Sequence, residues 1–142
     1  MISKETKISR VIVGRVYPDE DLIDSIISIV KLHKIKGGLV NIIGAFKKVT
    51  IGYFDIEKKD YNLKVVEEDL ELVSCMGNIA WKDGEPMVHL HISVGKGDYS
   101  IIGGHLSQPC IVSITAEVYI FEVEDQIERA TDSEFNLSLL NL

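Results

Sequence analysis

The chain has 142 residues, of which 46% are hydrophobic and 26% are charged, so it is long enough to form one domain with its own core. Its formal net charge of -7 opposes binding to a phosphate backbone unless the basic residues gather on one face. No apolar stretch reaches the roughly 20 residues that span a bilayer, and the N-terminus lacks the apolar segment of a secretory signal. We expect one ordered domain over residues 1–142, located in the cytoplasm, with no membrane partner.

The first part of the chain predicts a strand, a helix and two further strands. Residues 8–17 form the first strand, because they are rich in β-branched and apolar side chains. Acidic residues at 19–21 favour a helix start, and apolar residues then recur every three to four positions up to the glycines at 37–38, which predict its end. Residues 39–46 and 49–55 are two strand-like segments, each with a glycine that indicates a bulge or a close backbone approach.

The remainder of the chain reads as a series of strands. We expect them over residues 63–80 (one or two strands around an acidic bend), 87–94, 98–106, 111–123 and 134–142. In the longest of these, one face should be apolar and buried: Val112, Ile114, Ala116, Val118 and Ile120. The two cysteines, Cys75 and Cys110, lie in apolar runs and are predicted to be buried free thiols.

One long helix among mostly consecutive strands predicts an α+β fold with a mixed or antiparallel sheet. Apolar side chains occur on both faces of several predicted strands, and one helix cannot cover both faces. A second surface, such as another subunit, is therefore expected to cover the rest.

Three of the four histidines fall between residues 87 and 106. His89 and His91 are two positions apart on one strand, so they project to the same, less buried side and can place two nitrogens on one cation. The side of His105 depends on the strand register. A two-residue loop that pairs Gly95 with Asp98 turns His105 to the far face, whereas a bulge at residues 103–104 or a three-residue connection returns it.

Three neutral imidazoles suit zinc and leave a fourth position for water or substrate. The alternative is that these histidines are inert polar residues on a solvated strand face. His33, among lysines at the predicted helix end, is expected to be a surface residue. Glu71 and Glu85 flank the strands that lead to the histidines and are the best carboxylate candidates for a general base.

Four stretches together resemble the PPC ("plant and prokaryote conserved") domain family: GRVYPDEDLIDSI, GGLVNIIGAFKKVTIGYFD, LELVSCMGNIAWKDGEPMVHLHISVGKGD and IIGGHL. The resemblance covers nearly the whole chain. It implies an α+β domain whose strongly curved sheet surrounds the helix, and assembly as a homotrimer.

The resemblance also bears on the candidate site. Prokaryotic members are similar at His89, His91 and His105, which implies a zinc site and favours the bulged register at residues 103–104. Arg15 and Asn78 match family positions near the same region, and they are candidates for supporting the ligands or an interface.

These observations predict a stand-alone homotrimeric domain with a regulatory or assembly role and a three-histidine zinc site. The alternative is a small zinc-dependent enzyme that uses a metal-activated water on an unknown substrate. Plant members bind AT-rich DNA through AT-hook motifs, but this chain has no Arg-Gly-Arg-Pro core. Direct AT-hook binding is therefore not implied here. Many prokaryotic members are labelled DNA-binding by analogy, so DNA binding by the trimer surface is a third possibility, although the acidic balance disfavours it.

Overall fold

The computed structural model describes residues 1–142 and contains eight strands and one helix. In chain order they are β1 (Ile8–Val16), α1 (Leu22–His33), β2 (Gly38–Asp55), β3 (Asp60–Val66), β4 (Leu70–Lys82), β5 (Glu85–Gly95), β6 (Ile101–Val123), β7 (Glu128–Asp132) and β8 (Leu137–Asn141). The α+β class is confirmed. No helix of the chain combines the length and the apolar character that crossing a membrane requires.

Four long strands close into a ring, which is the curved part of the sheet. β2 pairs with both β6 and β4, while β5 joins β4 to β6, and all of these pairings are antiparallel. β1 adds to β6 and β3 adds to β2. The only parallel pairing is the bridge from Trp81 on β4 to Glu128 on β7, so the sheet is mixed, and β8 pairs with β7 outside the ring.

The helix is shorter than the sequence predicts: it has 12 residues, so the expectation of one long helix was wrong. Asp21 caps its start by accepting hydrogen bonds from the backbone N–H groups of Ile23 at 3.0 Å and Asp24 at 3.3 Å. The helix stops at Lys34, which adopts the left-handed conformation and donates its N–H to carbonyls of the last turn. The glycine pair lies beyond this cap, and Gly38 already begins β2.

One face of the helix is fully buried and supplies part of the core. Leu22, Ile26 and Val30 occupy successive turns on this face, and the helix packs against β1, β5 and β6. Cys75 and Cys110 are free and buried, as expected, and burial raises the pKa of the Cys75 thiol to about 12.

Two pairs of predicted strands are continuous in the structure, because local bulges bend them without ending them. Residues 39–46 and 49–55 belong to β2, and residues 101–106 and 111–123 belong to β6. The bulges also explain a wrong burial prediction. The β2–β6 register jumps where Gly44 faces Ala116 and Phe46 faces Val112, so Ile114 lies in the irregular step and is 67% exposed.

Candidate metal centre

Two neighbouring strands bring His89, His91 and His105 together. His89 and His91 lie on β5, and His105 lies on β6 directly opposite His91. Residues directly opposite in an antiparallel pair project to the same side of the sheet, so all three imidazoles share one side. The other side of β5 carries the core residues Leu90, Ile92 and Val94.

The register that achieves this matches none of the three expected alternatives: the two-residue loop, the three-residue connection or the bulge at residues 103–104. Gly95 pairs with Ile101 rather than with Asp98, and the ladder from there to His105 is continuous. The connecting loop therefore has five residues, 96–100. Compared with the expected pairing of Gly95 with Asp98, the partner on β6 is shifted by three residues, and an odd shift turns His105 to the side of His89. Asp98 stabilises this loop by accepting hydrogen bonds from the backbone N–H and hydroxyl of Ser100, at 3.0 and 2.6 Å.

The bulge expected at residues 103–104 is absent from the β5–β6 ladder, so that expectation was wrong. The two glycines serve close packing instead. A Cβ at Gly103 would lie 2.3 Å from the carbonyl oxygen of Ile92, and one at Gly104 would lie 2.7 Å from that of Gly52. Glycine at both positions lets β6 approach β5 on one side and β2 on the other.

The spacing of the imidazole nitrogens suits one metal ion. One ligand atom from each histidine lies within 4.8 Å of those of the other two, and the Nε2 atoms of His89 and His91 are 3.2 Å apart. Two nitrogens bound tetrahedrally to one zinc at 2.0–2.1 Å would be about 3.3 Å apart. The His89–His91 pair is therefore close to metal-binding geometry.

Two of the three histidines, His89 and His105, are kept neutral by their surroundings. Burial, followed by the nearby His89 and His91, lowers the pKa of His105 to about 4. Burial also lowers the pKa of His89, with smaller contributions from Arg129 and His91. Metals bind the neutral imidazole, so both groups are in the required form at neutral pH.

His105 has an unsatisfied nitrogen. Its ring stacks on Tyr61 with centroids 4.4 Å apart and planes at 22°, while its Nδ1 atom is buried with no hydrogen-bond partner. A buried polar atom without a partner destabilises the fold, and a bound ion would satisfy such an atom. The donor set and this orphaned nitrogen fit a metal ion.

Asn78 and Arg129 lie beside the histidines. Asn78 on β4 faces His89 across the ladder, and its Oδ1 accepts a hydrogen bond of 2.6 Å from Nη2 of Arg129. Arg129 is on β7 and also donates from Nη1 to the carbonyl oxygen of Ser138. The sequence pointed to Asn78 through the family resemblance, but it contained no signal for Arg129 or Tyr61.

Arg15 makes its contacts elsewhere. It lies on β1, where its Nε donates to Oγ1 of Thr115 at 3.1 Å and its guanidinium sits 5.2 Å from the ring centre of Tyr17. These contacts belong to the outer surface of β1 and β6, so the structure does not bring Arg15 into contact with the histidines.

The two candidate carboxylates also stay outside the cluster. Glu85 begins β5 and forms an ion pair of 2.8 Å with Lys31 on the helix. Glu71 faces Gly95 near the other end of the β4–β5 ladder and lines a different pocket. His33 is exposed at the end of the helix, as expected.

Comparison with solved structures gives close matches along the whole chain. A metal-containing protein from Archaeoglobus fulgidus is 31% identical with a TM-score of 0.92, and the match covers 100% of both chains. A plant- and prokaryote-conserved (PPC) protein from Pyrococcus horikoshii is 34% identical with a TM-score of 0.91, over 100% of this chain and 98% of that one. A Bacteroides thetaiotaomicron protein, provisionally described as DNA-binding, shares the fold at 24% identity and a TM-score of 0.88, with 96% of each chain covered.

Among curated proteins, the bifunctional protein GlmU from a Synechococcus strain is 28% identical over 120 residues, which is 83% of this chain. The chain spans only 18% of the length of that relative. The sequence pattern of the Plants and Prokaryotes Conserved (PCC) domain family matches residues 3–124, so β7 and β8 lie outside the match. This match covers most of the chain and confirms the resemblance seen in the sequence, so the chain belongs to the PCC (PPC) domain family.

Proposed function

We propose that residues 1–142 form one PPC-type domain that assembles as a homotrimer, binds zinc through His89, His91 and His105, and acts as a regulatory or assembly module. One observation carries the metal proposal: three imidazoles converge from two strands, and the buried Nδ1 of His105 has no protein partner. The similar protein from Archaeoglobus fulgidus, described as metal-containing, supports it.

Zinc is the proposed metal because the ligand set is three nitrogens with no carboxylate or thiolate. When bound, zinc would supply a Lewis acid with one position open for water or another ligand. The chain's own contribution is to pre-position the three imidazoles, to keep His89 and His105 neutral, and to fix the His105 ring by stacking it on Tyr61.

Metal analysis of the purified protein tests the site. We expect about one zinc per chain in the wild type and less than a tenth of that in His91→Ala, because two imidazoles hold zinc far more weakly than three. His33→Ala is the matched control: it removes the exposed fourth histidine and should keep full zinc. No metal in the wild type, or equal metal in His91→Ala, would contradict the proposal.

An exposed apolar surface supports assembly. The outer surface of β1, β2 and β6, called here the β1 face, carries five large exposed side chains: Val11, Val13, Leu39, Ile43 and Tyr119. The strand pairings place them side by side, since Val13 faces Tyr119 and Val11 faces Phe121, which also faces Leu39. A contiguous apolar patch of this kind is typical of a protein–protein interface.

Charge placed on the β1 face should prevent assembly. Val13 is 63% exposed, and we expect Val13→Lys to convert the trimer to monomer, because burying an unpaired ammonium at an interface is costly. Size-exclusion chromatography with light scattering gives the mass. The control is Leu32→Lys at a 76% exposed helix position, which should stay trimeric. A trimeric Val13→Lys protein would rule out the β1 face, and a monomeric wild type would rule out the homotrimer.

The enzyme alternative is favoured by the open fourth position that a three-ligand site leaves. However, the pocket beside the histidines has no carboxylate among its lining residues, and Glu71 and Glu85 lie elsewhere. A metal-activated water would therefore have no adjacent carboxylate base, which weighs toward the non-enzymatic role.

DNA binding is a separate alternative, and the net charge of -7 weighs against binding of DNA by the domain itself.

A further inference from the structure

Arg129 carries a buried positive charge without an acidic partner. The residue is 7% exposed, and its two hydrogen bonds, both 2.6 Å, go to neutral acceptors on Ser138 and Asn78. Its Nε has no partner, and no carboxylate lies within ion-pair distance of the guanidinium. Burial of a cation without an opposite charge is costly, and here it lowers the pKa of Arg129.

The guanidinium lines a pocket that adjoins the histidines. Arg129, His89, His105 and Ser138 form its polar side, and the cavity has a volume of about 130 Å³. The rest of the wall is largely apolar and includes Tyr61, Met87, Val88 and Leu139. A few convergent polar groups against an apolar wall are the usual composition of a small-molecule site.

The charges of the pocket select an anion. The guanidinium has five N–H donors and uses two of them on protein acceptors, so donors remain for a ligand. A divalent ion on the histidines would add further positive charge on the same side. No acidic side chain lines the pocket to balance either charge.

The size and the apolar wall narrow the class of anion. The volume equals that of about four waters at ~30 Å³ each, which suits a molecule of about four to six non-hydrogen atoms. A phosphate would leave oxygens unpaired against the apolar wall. A short carboxylic acid instead places a carboxylate at one end, where arginine can bind it through two hydrogen bonds, and a hydrocarbon chain at the other.

We propose that this pocket binds a small monocarboxylate with a short apolar chain, with the carboxylate at Arg129 beside the histidines and the chain against Met87, Val88 and Leu139. The inference rests on the proposed metal site, which supplies the second positive charge. Arg129 lies on β7, outside the family match at residues 3–124, so membership in the family assigns it no role.

Isothermal titration of the zinc-loaded protein with sodium butyrate tests the proposal. We expect butyrate to bind the wild type and to bind Arg129→Gln at least about tenfold more weakly, because charge-assisted hydrogen bonds are lost. The matched control is Lys82→Gln, which removes a nearby ammonium that bonds to the Ser138 and Thr131 hydroxyls. Its butyrate affinity should match that of the wild type.

Two further ligands test whether binding needs both the charge and the apolar chain of butyrate. 1-Butanol has the same chain without the charge, and inorganic phosphate has the charge without the chain. Either one binding as tightly as butyrate would overturn the proposal, as would an unchanged affinity in Arg129→Gln.

Should Arg129→Gln fail to fold, Leu139→Glu keeps Arg129 and adds a carboxylate to the pocket wall. It should weaken butyrate binding at least about tenfold, and unchanged binding would again overturn the proposal.

Counting zinc in every sample separates the two proposals. A wild type that binds zinc but not butyrate contradicts the carboxylate pocket and leaves the metal site in place. A wild type that binds butyrate without zinc contradicts the metal site instead, while the effect of Arg129→Gln still decides the pocket.

Discussion

Zinc at about a thousand times its dissociation constant is expected to raise the free energy of unfolding by about 4 kcal/mol. The gain arises because the folded chain presents three imidazoles at metal-binding spacing, whereas the unfolded chain must first bring His105 to the other two. For a chain of 142 residues, 4 kcal/mol corresponds to a rise of roughly 12 °C in Tm. Differential scanning calorimetry at fixed protein concentration, with zinc or with a chelator, measures it.

His105→Ala is the sharpest variant for this prediction, because His105 is the one ligand that links β6 to β5. The zinc-dependent rise in Tm should fall below about a third of the wild-type value, while His33→Ala should keep all of it. An equal rise in His105→Ala would mean that zinc stabilises the protein from another site. No rise in the wild type at saturating zinc would remove the metal site altogether.

The His89–His91 half of the site was predictable from local sequence, because a strand alternates sides whatever the rest of the fold does. The position of His105 was not predictable, since the side of the sheet to which it projects depends on whether the loop after Gly95 has an even or odd number of residues. Hydrogen bonds from Ser100 to Asp98 help to set that number. Such bonds are local, but a two-residue glycine turn competes with them on sequence grounds alone.

The parts of the structure that sequence reasoning missed depend on long-range contacts. Arg129 reaches the histidines because β7 joins β4 through a single bridge at Trp81, and no period or motif in the tail predicts that bridge. The helix end was placed too late because a lysine, Lys34, adopts the left-handed conformation that glycine usually supplies. Ile114 is exposed because a bulge in the β2–β6 pairing interrupts the strand alternation from which its burial was predicted.

Gly77→Ala is expected to destabilise the chain by about 3 kcal/mol or more and to reduce zinc binding as well. Gly77 lies in the middle of β4, between Val40 of β2 and Leu90 of β5. A Cβ at this position would lie 1.8 Å from the carbonyl oxygen of His89, and a contact that short forces the two strands apart. Because the displaced backbone is that of a proposed ligand, stability and metal binding should fall together.

Urea unfolding and zinc counting on the same preparations check this coupling. Gly97→Ala is the matched control: it makes the same change in the loop between β5 and β6, where an added Cβ meets no atom within 4 Å. It should stay within about 0.5 kcal/mol of the wild type and keep full zinc. If Gly77→Ala unfolds at the wild-type urea concentration, β4 and β5 are not in close contact at His89. If it is destabilised but keeps full zinc, the metal does not depend on the backbone position of His89, and the ligand assignment there is wrong.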